Sequence, residues 1–157
     1  MDFRKALDSV WHDGLLYKVL QINVRGNFYK VIKSLYSNST CSIRIGNNQT
    51  QPFQYTRGVR QGCILSPLLF NLYVNDLPFS FNNVLSDPFV LPNGTKLILF
   101  FMLTTLLLLL SRSKLGLQNC LNKLSSYCNS WMLKIIPKKT KIMVFQKGTK
   151  NVIMFFT

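Results

Sequence analysis

The run Arg57-Gly-Val-Arg-Gln-Gly-Cys-Ile-Leu-Ser-Pro-Leu-Leu-Phe-Asn-Leu-Tyr-Val-Asn-Asp-Leu77 constrains this chain more than any other feature of it. Gly58 and Gly62 flank Arg60 and Gln61, so the backbone there can bend tightly and come close to another molecule. Ser66-Pro67 reads as an N-cap followed by a proline at the first helical position. Together they open an apolar helix through Leu69, Phe70, Tyr73 and Val74. A polar glycine loop feeding a buried helix can hold a ligand against a rigid support. The same pattern also serves as an ordinary turn.

Charge narrows the choice. The 157 residues carry a net charge of +14, from 19 Lys or Arg against five aspartates and no glutamate. After Asp87 there is no further carboxylate, while ten basic residues follow. Such a balance favours a polyanionic partner, nucleic acid first and an anionic membrane surface second. Part of it is only a solvated surface. Cys41, Cys63, Cys120 and Cys128 show no metal-type spacing, and His12 stands alone, so buried free thiols in a reducing compartment are expected. The N-terminus is charged and polar, without a secretory signal, which points to an intracellular protein.

The whole run from Arg57 to Asn71 resembles the second conserved motif of reverse transcriptases, in particular those of non-LTR (LINE-type) retrotransposons. The resemblance implies that Arg57, Gly58, Arg60, Gln61 and Gly62 contact the template and the incoming nucleotide. Met1-Asp-Phe-Arg-Lys-Ala-Leu-Asp-Ser-Val-Trp-His-Asp-Gly14 is similar to the first catalytic motif of the same enzymes. There Asp2 falls on the metal-binding aspartate. Leu7 stands where the family usually has an aromatic residue that screens the sugar 2′-hydroxyl. Without the resemblance, Asp2 and Asp8 would read as exposed acids favourable to a helix start. Trp131 to Phe145 resembles the fourth motif, a helix-to-strand unit, with Ile136 in place of its asparagine. Lys139 matches the lysine that protonates the pyrophosphate leaving group, although Lys138, Lys139 and Lys141 also suit a solvated basic turn.

The segment Leu97-Ile-Leu-Phe-Phe-Met-Leu-Thr-Thr-Leu-Leu-Leu-Leu-Leu110 departs from that pattern. The family has two apolar strands there, joined by Tyr-Ala-Asp-Asp, because phosphoryl transfer uses two magnesium ions roughly 4 Å apart that carboxylates bridge. Here Thr104 and Thr105 stand at the aspartate positions, and neutral hydroxyls are poor magnesium ligands. Read one base late, TAT GCT GAC GAC T becomes ATG CTG ACG ACT, which encodes Met-Leu-Thr-Thr. A frameshift with a compensating indel nearby accounts for the family-like flanks. The rival reading is a short membrane protein spanning 97–110. Its 14 residues, 12 of them apolar, fall short of the roughly 20 that a span needs.

Elsewhere the spacing predicts helices over Asp13–Leu20, Asn27–Tyr36 and Ser113–Trp131. The last turns Leu117, Cys120, Leu121, Leu124, Cys128 and Trp131 inward. Cys41 to Tyr55 alternates around Gly46-Asn47-Asn48 as a hairpin, and Pro92-Asn93-Gly94 turns a second one. Pro78 to Pro92 is loop-like.

The resemblance, from Asp2 to about Lys147, implies an α+β fold: a partial polymerase palm with an antiparallel sheet backed by helices, the fingers and thumb missing. Residues 148–157 are an apolar tail without a motif. The implied function is RNA-directed DNA synthesis with Mg2+, an RNA template, a DNA primer and deoxynucleotides. Loss of the aspartates makes this copy inactive as written. A non-catalytic, basic nucleic-acid-binding remnant is the alternative. Moving the frame by one base across codons 98–106 is expected to restore Tyr-Ala-Asp-Asp. Nucleotide sequence with no Asp-Asp pair in either alternative frame would dispose of the frameshift.

Overall fold

The computed structural model describes residues 3–82, 84, 87–97, 99–102, 106–147 and 150–156. They form a mixture of helices and small antiparallel sheets, and divide into two compact units, Leu7–Tyr73 and Met1–Ala6 with Val74–Thr157.

In the unit Leu7–Tyr73, a short helix α1 (Ala6–Ser9) leads into α2 (His12–Gln21) and α3 (Gly26–Tyr36). Leu15 and Val19 of α2 and Ile32 and Tyr36 of α3 are buried, and the two helices pack together. The expected helices are present within one residue at each end. The apolar stripe of α3 is only partly covered, because Phe28 and Val31 remain exposed.

The first hairpin forms as two short ladders, β1 (Thr40–Cys41) with β4 (Phe53–Gln54) and β2 (Arg44–Ile45) with β3 (Asn48–Gln49). Gly46, at φ +61°, supplies the left-handed residue of the tight turn. The unit ends on α4 (Leu65–Val74). This helix begins one residue before Ser66, so Ser66 and Pro67 lie inside its first turn. Pro67 fits there because the first four N–H groups of a helix have no internal partner. The Ser66 hydroxyl donates to the Arg60 carbonyl at 2.6 Å instead of capping the helix.

A buried cation stabilises the other end of α4. Lys18 Nζ donates to the Tyr73 carbonyl at 2.6 Å and lies 5.2 Å from the Tyr73 ring centroid. Carbonyls in the last turn lack intrahelical partners and carry partial negative charge, which suits an ammonium group.

In the second unit, a 3-10 helix (Pro78–Phe81) occupies part of the segment expected as loop. The short strands β5 (Phe89–Val90) and β6 (Lys96–Leu97) then pair around the Pro92-Asn93-Gly94 turn. The segment offered as a membrane span is a hairpin, β7 (Leu99–Met102) antiparallel to β8 (Leu106–Ser111). Among the described residues no helix is long and apolar enough to cross a membrane.

Ser113 caps α5 (Lys114–Ser130) by accepting from the Gly116 N–H at 3.1 Å. α5 packs on β8 and on the 3-10 helix. Its buried face is Leu117, Cys120, Leu124, Tyr127 and Cys128, whereas Leu121 and Trp131 are only half-buried. Tyr127 was not among the residues expected inward. Its hydroxyl donates to Asp76 Oδ1 at 2.6 Å.

A second 3-10 turn (Pro137–Lys139) precedes β9 (Lys141–Lys147), and β10 (Lys150–Phe156) follows. The sheet order is β7-β8-β10-β9, so the apolar tail supplies an inner strand. All four cysteines are free. Cys120 and Cys128 are buried as expected, but Cys63 is half-buried and Cys41 exposed. Burial pushes the Cys128 thiol up to about 12, so it stays protonated and unreactive.

Lys18→Met keeps the apolar stem but removes this donor from the Tyr73 carbonyl. A loss of about 1–3 kcal/mol is expected, read as a lower urea midpoint at unchanged slope. An unchanged midpoint would show that the buried ammonium contributes nothing net.

Candidate functional site

The loop Arg57–Gly62 is fastened to the chain just after α1. The Gly58 N–H donates to the Val10 carbonyl at 2.8 Å, and the Val59 N–H to the Leu7 carbonyl at 2.9 Å. Arg57 forms an isolated β-bridge with Trp11. The approach is close enough to demand glycine. A Cβ on Gly58 would stand 3.3 Å from the Asp8 backbone, and the φ of +95° is one that side-chain-bearing residues rarely adopt. Gly62 also has a positive φ, +81°, but a Cβ there would meet nothing within 4 Å. One glycine answers to packing, while the other faces open space.

Side chains complete the fastening. Gln61 Nε2 donates to Asp8 Oδ1 at 2.9 Å, joining the two segments through exposed groups. Arg60 donates to the Leu35 carbonyl in the last turn of α3 at 3.3 Å. His12, buried in α2, donates from Nε2 to the Gly58 carbonyl at 2.8 Å. Since that carbonyl can only accept, the proton sits on Nε2. The His12 ring lies 4.9 Å from the Tyr36 ring and 5.5 Å, edge-on, from Tyr55. Burial first, and Cys63 second, raise the Tyr36 phenol above its ordinary value, so it remains a neutral hydroxyl at neutral pH.

Among the residues singled out in the sequence, the structure brings together Leu7, Arg57, Gly58, Arg60, Gln61 and Gly62. Leu7 is half-buried and contributes its carbonyl; Arg57, Arg60 and Gln61 are exposed. Lys139 belongs to the other unit, exposed at the end of the second 3-10 turn, with its N–H donating to the Ile136 carbonyl at 3.2 Å. Asp2, Thr104 and Thr105 lie outside the described residues.

Three participants were not read from the sequence as site residues: Asp8, which takes the Gln61 amide, His12, which takes the Gly58 carbonyl, and Ser66, which fixes the Arg60 carbonyl. His12 offered no spacing signal, because its partner is distant in sequence and is a backbone atom. Among the described residues, no group of three His, Cys, Asp or Glu side chains could hold a metal ion.

The family model for reverse transcriptase (RNA-dependent DNA polymerase) matches residues 1–154. The probable RNA-directed DNA polymerase from transposon BS of Drosophila melanogaster is 33% identical over 145 residues, which cover 89% of this chain and 15% of that protein. The RNA-directed DNA polymerase from mobile element jockey of the same fly is 28% identical over 153 residues, 95% of this chain and 16% of the relative. A retrovirus-related Pol polyprotein from the type-1 retrotransposable element R2 of Popillia japonica is 36% identical over 78 residues, 49% of this chain and 11% of that protein. The chain thus spans about 15% of the length of the first of these relatives. With a family match across nearly its whole length and relatives among non-LTR retrotransposon polymerases, this chain belongs to the reverse transcriptase family.

Proposed function

We propose that residues 2–147 are a partial reverse transcriptase palm whose loop Arg57–Gly62 faces nucleic acid and nucleotide, and that this copy binds nucleic acid without polymerising. The observation that carries the reading is the backbone fastening of Gly58 and Val59 to Val10 and Leu7, which joins the two motif segments that the family uses around a nucleotide. In this reading Arg57 and Arg60 offer positive charge beside an open glycine, and Gln61 is held by Asp8. Leu7 lies at the sugar-facing position, Lys139 serves the leaving group, and Asp2 is the remaining carboxylate at a metal position.

The family's chemistry uses Mg2+, which supplies charge stabilisation at the transferred phosphoryl group. In this chain Thr104 and Thr105 replace the aspartates. A neutral hydroxyl pair forfeits several kcal/mol of that stabilisation, roughly three or more powers of ten in rate. Binding by contrast needs no carboxylate. The unit Leu7–Tyr73 alone carries seven Lys or Arg against Asp8 and Asp13.

Two outcomes are expected. On a primed RNA template with magnesium or manganese, the protein as it stands extends nothing. Thr104→Asp with Thr105→Asp gains metal affinity by calorimetry but still does not polymerise, because nucleotide positioning depends on the surrounding shell, where a ~1 Å displacement costs about a hundredfold. Templated extension by the unmodified chain would overturn inactivity. Binding to RNA or DNA should be sequence-independent and fall steeply with salt, with a logarithmic slope of about 0.9 per phosphate contact on duplex DNA. An affinity indifferent to salt would rule out the electrostatic mechanism.

A further inference from the structure

A cleft of about 270 Å³ opens in the unit Leu7–Tyr73, where the start of α2 and the end of α3 meet the segment 54–56. Clefts for drug-sized ligands run to roughly 300–1,000 Å³, so this one has room for a small head group on a short chain. Asp13 is the one acidic or basic side chain in its lining besides the neutral His12. Its carboxylate is exposed and has no hydrogen bond or ion pair among the described residues.

Many donors around that carboxylate are already engaged. The His12 Nε2 proton goes to the Gly58 carbonyl, which leaves the imidazole a lone pair on Nδ1 and no free N–H. The Ser39 hydroxyl donates to the Leu35 carbonyl at 2.9 Å, so its oxygen is left to accept. The Tyr36 hydroxyl is hydrogen-bonded to Ser66; since Ser66 gives its own proton to the Arg60 carbonyl, Tyr36 is the donor. Backbone N–H groups of the lining are engaged too, His12 with the Thr56 carbonyl, Ser37 with Lys33 and Tyr55 with Ser39. The amides of Asn38 and Gln54 can present either end and so do not choose an occupant.

What the cleft offers is a carboxylate, an imidazole lone pair, a hydroxyl oxygen and the rings of Tyr36 and Tyr55, 4.9 and 5.5 Å from His12. Acceptors and ring faces attract a cation. The net charge of +14 opposes one from afar, but screening at physiological salt leaves little of that field beyond about 8 Å. Unfilled acceptors also call for N–H groups, which a protonated primary amine has and a quaternary ammonium lacks. Asp13 in the first turn of α2 suits the helix dipole as well, which accounts for an acid there but not for the engaged donors around it.

We propose that this cleft binds a protonated primary amine. Its three N–H donors serve Asp13, His12 Nδ1 and the Ser39 oxygen, and its alkyl chain lies against Tyr55. The site stands apart from the nucleic-acid reading, and holds or fails whatever the loop Arg57–Gly62 binds.

The test is titration of the whole 157-residue chain with butylammonium chloride at constant ionic strength, followed by amide NMR. Saturable shifts are expected at residues 12–13, 37–39 and 54–56, and at Gly58, whose carbonyl the same imidazole holds. Butyrate and butanol should give none, and tetramethylammonium should bind more weakly. Asp13→Asn is expected to weaken butylammonium about fivefold or more, and Tyr55→Leu about threefold. Asp87→Asn, in the other unit, should change nothing. The ligand series on the wild type needs no variant, and each variant's amide spectrum reports its own fold. Two further probes separate the sources of the amine. Tighter binding of Nα-acetyl-lysine methylamide than of 1,4-diaminobutane assigns a lysine side chain of a partner, the reverse order a free diamine, and equal affinity supports the head group alone. Absence of saturable shifts, equal binding of butyrate, butanol or tetramethylammonium, or unchanged affinity in Asp13→Asn overturns the proposal.

Discussion

Two backbone hydrogen bonds, from Gly58 to Val10 and from Val59 to Leu7, set the geometry around which the site is built. They exist because Gly58 can take a left-handed conformation where any side chain would press on the Asp8 backbone. Once they form, the rest of the loop has little freedom. His12 takes the Gly58 carbonyl, Ser66 the Arg60 carbonyl, and Arg60 reaches back to the end of α3. The loop is thus tied down along one edge and open along the other at Gly62. Rigid support with one open side is what a loop needs if it is to present backbone to a ligand at no ordering cost.

None of this support involves a metal ligand. The fastening uses carbonyls, amides, one imidazole, one hydroxyl, the Arg60 guanidinium and the Asp8 carboxylate, while the proposed loss of activity concerns other carboxylates. Packing and two-metal chemistry therefore make separate demands on the sequence. A copy that has lost the second can retain the first, and its charge with it. The long match to reverse transcriptases alongside threonines at positions 104 and 105 is consistent with that separation.

Local patterns were legible in the sequence to the extent that local physics decides them. Helices α2, α3 and α5 follow from apolar spacing, and the turns at Gly46-Asn47 and Pro92-Asn93-Gly94 from backbone chemistry. The joining of the loop to the segment after α1 was legible only through the family resemblance. What stayed hidden depends on partners far along the chain. Ser66 has the composition of an N-cap, but a tertiary carbonyl outcompetes the helix for its hydroxyl. Lys18 reads as a solvated helix lysine until the end of α4 is brought to it. Phe28 and Val31 have the right spacing for a buried stripe, yet spacing defines an apolar side and not what covers it. Asp2, Thr104 and Thr105 carry the catalytic argument from sequence alone, since they lie outside the described residues.

The inner position of β10 bears on the order in which the larger sheet can assemble. β7 with β8, and β9 with β10, are each pairings between neighbours in the chain, and each can close quickly. The junction is different. Met154 meets Leu110 and Ile153 meets Ser111 with the whole of α5 between them in sequence, so a long loop must close before those contacts are rewarded. Until then two hairpins each present an unpaired, largely apolar edge to solvent, and such edges recruit other chains. The helix that separates the two hairpins in sequence also packs on β8, which makes α5 the element best placed to hold one half ready for the other.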